Sequence, residues 1–316
     1  MRKYLIQILV VLLMLTIAWG LFLVGKNEEA LDKNSPEAKG SVLSAHLPIS
    51  PDVFPVRNWS IKEPEIVAKS AIVMSFGSND EQGNILFRKN PDQVLPIASL
   101  TKIITALIAI ENFDLEEIIK VSKNSILTLG DKGGLFRGEE LTVKGLLYIM
   151  LIESSNDAAM ALASDNPRLS YNEFLDLMNS KVKELSLENT YFLDPIGLNS
   201  KNKSTVLELA KLTNHALNFP LIWEILKTSE TIIFSIDNKF VHNLVNTNKL
   251  LDEIPFLEGG KTGYTIEAGG CMLTVSSISS SFGNNYLITV VLGSEQREED
   301  TEKLINWSKE AWIFSP

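Results

Sequence analysis

The chain has 316 residues, of which 45% are hydrophobic, and its formal net charge is -10. That length allows one large domain or two small ones, and the apolar fraction is sufficient for a sizeable core. The acidic balance argues against nucleic acid as a partner. The single cysteine, Cys271, excludes an internal disulfide, and its apolar neighbours predict a small core residue rather than a reactive thiol.

The N-terminus predicts a segment that inserts into a membrane. Arg2 and Lys3 precede a run from Tyr4 to Val24 that carries no formal charge. A bilayer-crossing helix needs about 20 such residues, more than the apolar part of a cleaved signal peptide. We therefore expect residues 1–25 to be a membrane anchor, with an uncleaved anchor favoured over a cleaved signal. The basic residues at the start would keep that end in the cytoplasm and place the remainder outside it.

Residues 26–69 predict a flexible linker, because they are rich in Ser, Asn, Lys and Glu and are interrupted by prolines. A globular domain is predicted to follow over residues 70–316. Strand-like patterns at its start and in its last third each have turn residues between them, as in a hairpin. The predicted strands are 71–76, 84–90, 271–279 and 285–293.

Between these hairpins the apolar residues recur with helical spacing. The predicted helices begin near Leu100 and continue at 142–152, 156–164, 171–187 and 298–312. Strands at both ends with helices in the middle favour an α+β fold. The N- and C-terminal strands would then form one antiparallel sheet, with the helical middle packed on one side of it.

The segment PIASLTKIITALIAIE, residues 96–111, contains the first residues that indicate chemistry. Ser99 and Lys102 are three positions apart and so would share one helix face. An apolar environment lowers the pKa of an ammonium, and a neutral lysine can take a proton from a serine hydroxyl. Alone, the pattern fits equally well a serine in the first turn of a helix and a lysine that extends to solvent.

Two later segments add to this pattern. LIESSNDAAMALA places Ser154 and Asn156 between two apolar helices, where they could be helix caps or could relay a proton and hold a substrate carbonyl. EGGKTGYTIEAGG contains Lys261-Thr262-Gly263, the one K-T-G of the chain. A point charge, a hydroxyl and a glycine would suit an extended substrate with a carboxylate end, although a turn before a strand explains the glycines equally well.

The order S-x-x-K, S-x-N, K-T-G is the signature set of penicillin-binding proteins and class A β-lactamases. Longer stretches agree: PIASLTK, FRGEELTVKGLLYIMLIESSNDAA, NTYFLDPIGL, NTNKLL and GGKTGYTIEAGGCM. Over about residues 70–312 the chain resembles the low-molecular-weight D-alanyl-D-alanine carboxypeptidases, the D-Ala-D-Ala serine peptidase family. The resemblance implies the fold of β-lactamases and of penicillin-binding-protein transpeptidase domains.

The same resemblance implies an acyl-enzyme mechanism that removes the terminal D-Ala from peptidoglycan pentapeptide stems without a metal or other cofactor. It also implies covalent inhibition by β-lactam antibiotics and a catalytic domain on the periplasmic or cell-wall side of the membrane. Ser99 would be the nucleophile, Lys102 its base and Ser154 a proton relay. The implied substrate-binding residues are Asn156, Lys261, Thr262, Gly263 and Tyr264. Backbone N–H groups of Ser99 and Tyr264 would form the oxyanion hole.

The chain departs from the family pattern at three points. Ser155 stands where the second motif usually has glycine, and residues 204–208 read STVLE where S-T-A-x-D is usual. Better-known members also carry an extra β-rich domain and a C-terminal amphipathic anchor. We expect neither here and expect anchoring at the N-terminus instead.

Two alternative functions remain at this point. A class A β-lactamase needs a glutamate in an E-x-x-L-N setting, which the sequence lacks, and Glu173 lies inside a predicted helix; we therefore expect penicillin to acylate Ser99 and to leave slowly. A non-catalytic muropeptide-binding protein is the other alternative, and the intact motifs argue against it.

The three histidines show no spacing typical of a metal site, so we expect them to be surface or core residues: His46, His215 and His242. Transpeptidase or endopeptidase side activity, the preferred stem residue and the oligomeric state stay open.

Overall fold

The computed structural model describes residues 55–77, 82–131, 133–280 and 283–314. The predicted anchor, and the predicted linker as far as residue 54, lie outside these ranges. Among the helices within them, none combines the length and apolar character that a bilayer crossing requires. The strands are, in chain order, β1 (Val56–Arg57), β2 (Ser70–Phe76), β3 (Asn84–Lys89), β4 (Leu95–Pro96), β5 (Ile118–Lys120), β6 (Glu140–Thr142), β7 (Lys203–Ser204), β8 (Glu230–Phe234), β9 (Val241–Val245), β10 (Leu257–Thr265), β11 (Gly269–Ser280), β12 (Gly283–Ser294) and β13 (Trp312–Ile313).

The α-helices alternate with these strands and fill most of the middle of the chain. They are α1 (Lys102–Asn112), α2 (Lys123–Ile126), α3 (Val143–Ile152), α4 (Asn156–Ser164), α5 (Tyr171–Glu184), α6 (Val206–Ala216), α7 (Pro220–Lys227) and α8 (Arg297–Ala311). Two short 3-10 helices, Ala98–Thr101 and Lys249–Leu251, complete the set within the described ranges.

One five-stranded antiparallel sheet, in the order β10-β11-β12-β2-β3, organises the fold. The N-terminal hairpin therefore pairs with the C-terminal strands, and the predicted α+β architecture is confirmed. Every residue of β2 is buried, because both faces of the sheet are covered. On one face Ile72 and Met74 contact the helical core, and on the other Ala71 and Val73 pack with residues of α8.

The helical middle has α1 at its centre. Its residues from Lys102 to Ala109 are all buried, so an ammonium group lies inside an otherwise apolar helix. Side-chain caps fix the start of several neighbours: Thr142 caps α3, Ser155 caps α4 and Ser170 caps α5, each by accepting a backbone N–H bond. The cap at Ser155 fixes the turn between α3 and α4, which carries Ser154 and Asn156.

Residues 55–69, which composition assigned to the linker, pack on α8. Strand β1 pairs with β13, and the Arg57 guanidinium lies 4.8 Å from the ring centroid of Trp307. Buried Asp300 accepts the backbone N–H groups of Val67 at 3.1 Å and Ala68 at 2.9 Å. The packed domain thus starts earlier than residue 70, because these polar residues find specific partners on a helix near the other end of the chain.

Candidate active site

Ser99 and Lys102 lie where the 3-10 helix passes into α1. The amine of Lys102 is fully buried and lies 3.0 Å from Ser99 Oγ. It also donates to Asn156 Oδ1 and to the backbone carbonyl of Ile196, both at 2.7 Å. Two N–H bonds are thereby committed to acceptors. In the neutral amine the lone pair takes the remaining direction, towards the Ser99 hydroxyl, which is the geometry a proton acceptor needs.

The environment of Lys102 favours this neutral form. Burial lowers the pKa of Lys102 to about 7, and the negative charges of Asp194, Asp131 and Asp157 oppose part of that effect. At neutral pH a large fraction of the amine is consequently unprotonated. A base whose pKa lies near the ambient pH combines a usable population with useful proton affinity.

The turn between α3 and α4 brings the second motif to this pair. Asn156 faces Lys102 through Oδ1, and its Nδ2 donates to the Leu129 carbonyl at 2.8 Å, so the amide is held from both ends. Ser154 lies two positions earlier, nearly buried, with the left-handed backbone angle φ of +61°. Such a conformation is uncommon for a residue other than glycine and often marks a functional turn.

Strand β10 carries the third motif along the edge of the main sheet and past Ser99. A Cβ placed on Gly263 would lie 2.9 Å from the Ser99 backbone nitrogen, so only glycine allows this approach. Lys261 is fully buried, and Thr262 Oγ1 lies 2.7 Å from Thr247 Oγ1. Tyr264 follows with an exposed side chain. The three motifs, far apart in the sequence, therefore meet around one serine.

Arg297 brings a second cationic side chain to β10, in addition to the Lys261 of the motif. Burial lowers the pKa of Lys261 well below its ordinary value, and the nearby charges of Lys102 and Arg297 lower it further. Arg297 also donates from Nη1 to the Gly263 carbonyl at 2.9 Å. An incoming carboxylate would relieve this repulsion and raise the pKa of Lys261, so the site is electrostatically prepared for an anion.

Three parts of the site were not singled out from the sequence: the Ile196 carbonyl, Thr247 and Arg297. Ile196 belongs to a loop wound around Asp194, whose carboxylate accepts N–H bonds from Ile196 and Asn199 at 2.9 and 2.7 Å. The stretches NTYFLDPIGL and NTNKLL carried the resemblance and contain Ile196 and Thr247, but no pattern showed which atoms would face Lys102 or Thr262. Arg297 lies outside the quoted motif stretches, and no sequence pattern pointed to it.

His242 is a core residue, as predicted, and it connects to the site indirectly. Its Nε2 lies 2.6 Å from Glu139 Oε1 and its Nδ1 3.1 Å from the Gly133 carbonyl. Asp157, next to Asn156, accepts N–H bonds from Gly133 and Leu135. The histidine thus holds the backbone at Gly133, which in turn contacts Asp157 next to the second motif. Glu173, the carboxylate considered for a β-lactamase, instead forms the capping box of α5 with Ser170.

The sequence model of the D-alanyl-D-alanine carboxypeptidases, peptidase family S11, matches residues 57–296. The chain belongs to this family. It is 34% identical over 251 residues to the D-alanyl-D-alanine carboxypeptidase DacF of Bacillus subtilis, covering 76% of this chain and 62% of DacF. It is 30% identical over 254 residues to the D-alanyl-D-alanine endopeptidase of Escherichia coli, covering 78% of each chain.

Solved structures of the family agree with the fold. The Streptomyces K15 DD-transpeptidase superposes with a TM-score of 0.72 at 27% identity, covering 79% of this chain and all of the other.

The two segments that depart from the family pattern have local structural roles. Ser155, which stands in place of glycine, caps α4 by accepting the Ala158 N–H at 3.0 Å, and its hydroxyl donates to Asp157. In the unusual segment at 204–208, Thr205 caps α6 and buried Glu208 accepts from Thr190 and Asn189.

Proposed function

We propose that this family member is a serine D-alanyl-D-alanine carboxypeptidase that removes the terminal D-Ala from peptidoglycan pentapeptide stems. The observation that carries the proposal is the Lys102 amine, buried, with two acceptors satisfied and its third direction facing Ser99 Oγ at 3.0 Å. The family match and the relatives named as carboxypeptidases support the same reaction.

In the proposed reaction Ser99 Oγ attacks the carbonyl carbon of the penultimate D-Ala while Lys102 takes the hydroxyl proton. The developing oxyanion is stabilised by the backbone N–H groups of Ser99 and Tyr264, and each such donor contributes on the order of 10²–10³ in rate. Ser154 passes the proton to the nitrogen of the departing D-Ala, which breaks the peptide bond and leaves an ester on Ser99. Water then attacks that ester, releasing the shortened stem and restoring the hydroxyl.

The terminal carboxylate of the substrate is assigned to Lys261 and Thr262. Lys261 is buried near the Arg297 guanidinium, and the Thr262 hydroxyl is held by Thr247. A terminal D-Ala presents a free carboxylate next to the scissile bond, and this arrangement fits it. Other relatives are named as endopeptidases, and the experiment below separates the two activities.

D-Alanine release from a synthetic pentapeptide tests the proposal. The wild type should release D-alanine and be labelled by a fluorescent penicillin, and Ser99→Ala should do neither. Ser180→Ala is the matched control, because Ser180 starts a second S-x-x-K on the exposed side of α5. Absence of both release and labelling in the folded wild type would favour a non-catalytic binding protein. Rapid steady hydrolysis of penicillin would favour a β-lactamase, and cleavage of cross-linked muropeptides without D-alanine release would favour an endopeptidase.

The proposed location is the outer face of the cytoplasmic membrane, in the periplasm or on the cell-wall side. It is supported by the charge-free run from Tyr4 to Val24 after Arg2 and Lys3. Membrane fractionation of the full chain, compared with a chain lacking residues 1–25, tests this part. Recovery of the full chain in the soluble fraction, at its full length, would contradict it.

A further inference from the structure

Asp131 has a carboxylate that the mechanism does not use. Three carboxylates act on the charge of Lys102: Asp194, Asp131 and Asp157. Asp194 and Asp157 accept backbone N–H bonds and so hold loops in place. Asp131 is exposed, and among the ion pairs of the described ranges none includes it.

The backbone fixes Asp131 at the edge of the site. Its carbonyl accepts the Asn156 N–H at 2.9 Å, and Asn156 is the residue that contacts Lys102. The charge of Asp131 acts on both buried lysines, raising the pKa of Lys102 and of Lys261 against the effect of burial. An exposed carboxylate is thereby held next to Asn156 and within electrostatic range of both motif lysines.

Two exposed leucines lie near the backbone of this segment. Leu129 is 77% exposed and its carbonyl accepts from Asn156 Nδ2, while Leu198 is 38% exposed. A Cβ placed on Gly130 would lie 2.6 Å from Asn156 Nδ2 and 3.4 Å from Leu198 Cδ2, so the Leu198 side chain lies close to the residue between Leu129 and Asp131. The rim next to Asn156 thus offers a solvated aliphatic surface that ends at a negative charge. We call Leu129, Asp131 and Leu198 the acidic rim.

We propose that the acidic rim is a specificity subsite for an amine-bearing aliphatic side chain on the acyl part of the substrate. This inference rests on the proposed function. The leaving D-Ala is directed to Lys261 and Thr262 on β10, whereas Asn156 belongs to α4 and contacts Lys102. A diamino acid next to D-Ala-D-Ala would lay its methylenes on the leucines and place its ammonium by Asp131. An acidic or acylated side chain there would lose this contact.

The test compares two peptides that differ in one charge: Nα-acetyl-L-Lys-D-Ala-D-Ala and its Nα,Nε-diacetyl form. For the wild type, kcat/KM should favour the free amine by about fivefold at low salt, as expected for an exposed ion pair. The preference should shrink as salt is added, because exposed charges are screened. Asp131→Asn should bring the ratio close to 1, Asp131→Glu should keep it, and Asp131→Lys should favour the acetylated peptide.

Asp176→Asn is the control, since it removes one exposed carboxylate from α5 and should leave the ratio unchanged. Equal kcat/KM values for the two peptides in the wild type, or an unaltered ratio in Asp131→Asn, would overturn the subsite while D-alanine release still supports the peptidase. Loss of penicillin labelling in Asp131→Asn would also overturn it, because Asp131 would then act through the structure of the site. If the wild type neither releases D-alanine nor binds penicillin, the proposed function itself fails.

Discussion

Lys102 Nζ and Ser99 Oγ lie 3.0 Å apart, and the amine is also held by Asn156 Oδ1 and the Ile196 carbonyl. The lysine is therefore restrained by residues from two separate loops and cannot rotate away without breaking two buried hydrogen bonds. A flexible side chain is in this way converted into a fixed base. Burial disfavours the charged ammonium, and the pKa of Lys102 is therefore lowered to about 7.

The first prediction concerns pH. Acylation by a penicillin should rise with pH and reach half its maximum near the pKa of Lys102, about 7, because only the unprotonated amine can accept the Ser99 proton. Lys102→Gln should lower the acylation rate by about 10²–10⁴ and remove the inflection. Stopped-flow or quenched labelling from about pH 5 to about pH 9 measures both the rate and the inflection. A flat profile in the wild type would show that Lys102 is not the base.

A second prediction concerns the loop that supplies the Ile196 carbonyl. Gly197 has a φ of +90°, and a Cβ there would lie 2.0 Å from the Ala98 carbonyl oxygen, next to Ser99. Gly197→Ala should therefore displace the nucleophile and reduce acylation by about 100-fold or more, since misplacement by about 1 Å has that effect. Gly134→Ala is the control: φ is +68°, but nothing lies within 4 Å of the added carbon. It should cost about 1–2 kcal/mol of stability and spare acylation.

Stability should depend on pH through His242 and Glu139, which form an almost fully buried pair. The hydrogen bond that His242 donates to Glu139 raises the pKa of His242 above 6.5. A raised folded-state pKa means that the stabilisation is complete below about pH 6.5 and is lost as pH rises through the higher value. His242→Gln should lower the free energy of unfolding by about 3–5 kcal/mol near pH 6 and by less near pH 9. Urea unfolding at the two pH values measures this, and an equal loss at both would contradict the charged pair.

The segment before β2 should contribute to the stability of the domain. The Arg57 guanidinium lies within 6 Å of three tryptophan rings, at 5.4 Å from Trp59, 4.8 Å from Trp307 and 5.8 Å from Trp312. Arg57→Ala should lower the free energy of unfolding by about 1–2 kcal/mol. Arg88→Ala, an exposed arginine in β3, should change it by less than about 0.5 kcal/mol. Equal effects of the two substitutions would show that residues 55–69 are only loosely attached.

Much of the fold followed from local pattern. Strands β2 and β3, the helices α3, α4 and α5, and the C-terminal hairpin of β11 and β12 lie close to their predicted ranges. Their signals were strong because each buries one face or both, so apolar spacing records the secondary structure directly. The β8–β9 hairpin gave no such signal: Ile232, Phe234 and Val241 face outward, so its alternation does not separate core from solvent.

The sequence predicted the motif residues of the candidate site. It did not predict the backbone and side-chain groups that hold those residues in place. Ser99, Asn156 and Lys261 are recognisable because the chemistry requires their side chains. The Ile196 carbonyl is a backbone group whose direction depends on the loop around Asp194, and any residue could supply it. Likewise, Glu139 and His242 are 103 positions apart, so their pairing depends on tertiary packing and leaves no mark in local sequence.

The sheet order has a consequence for synthesis. Strand β2 pairs with β3, its neighbour along the chain, and with β12, which the ribosome adds much later than β2. A nascent chain that already carries Ser99 and Lys102 still lacks β10, the strand that passes the serine, and β12, the partner of β2 in the sheet. The nucleophile is thus assembled only after β10 to β12 have been synthesised, and a product that stops before them should be inert as well as unfolded.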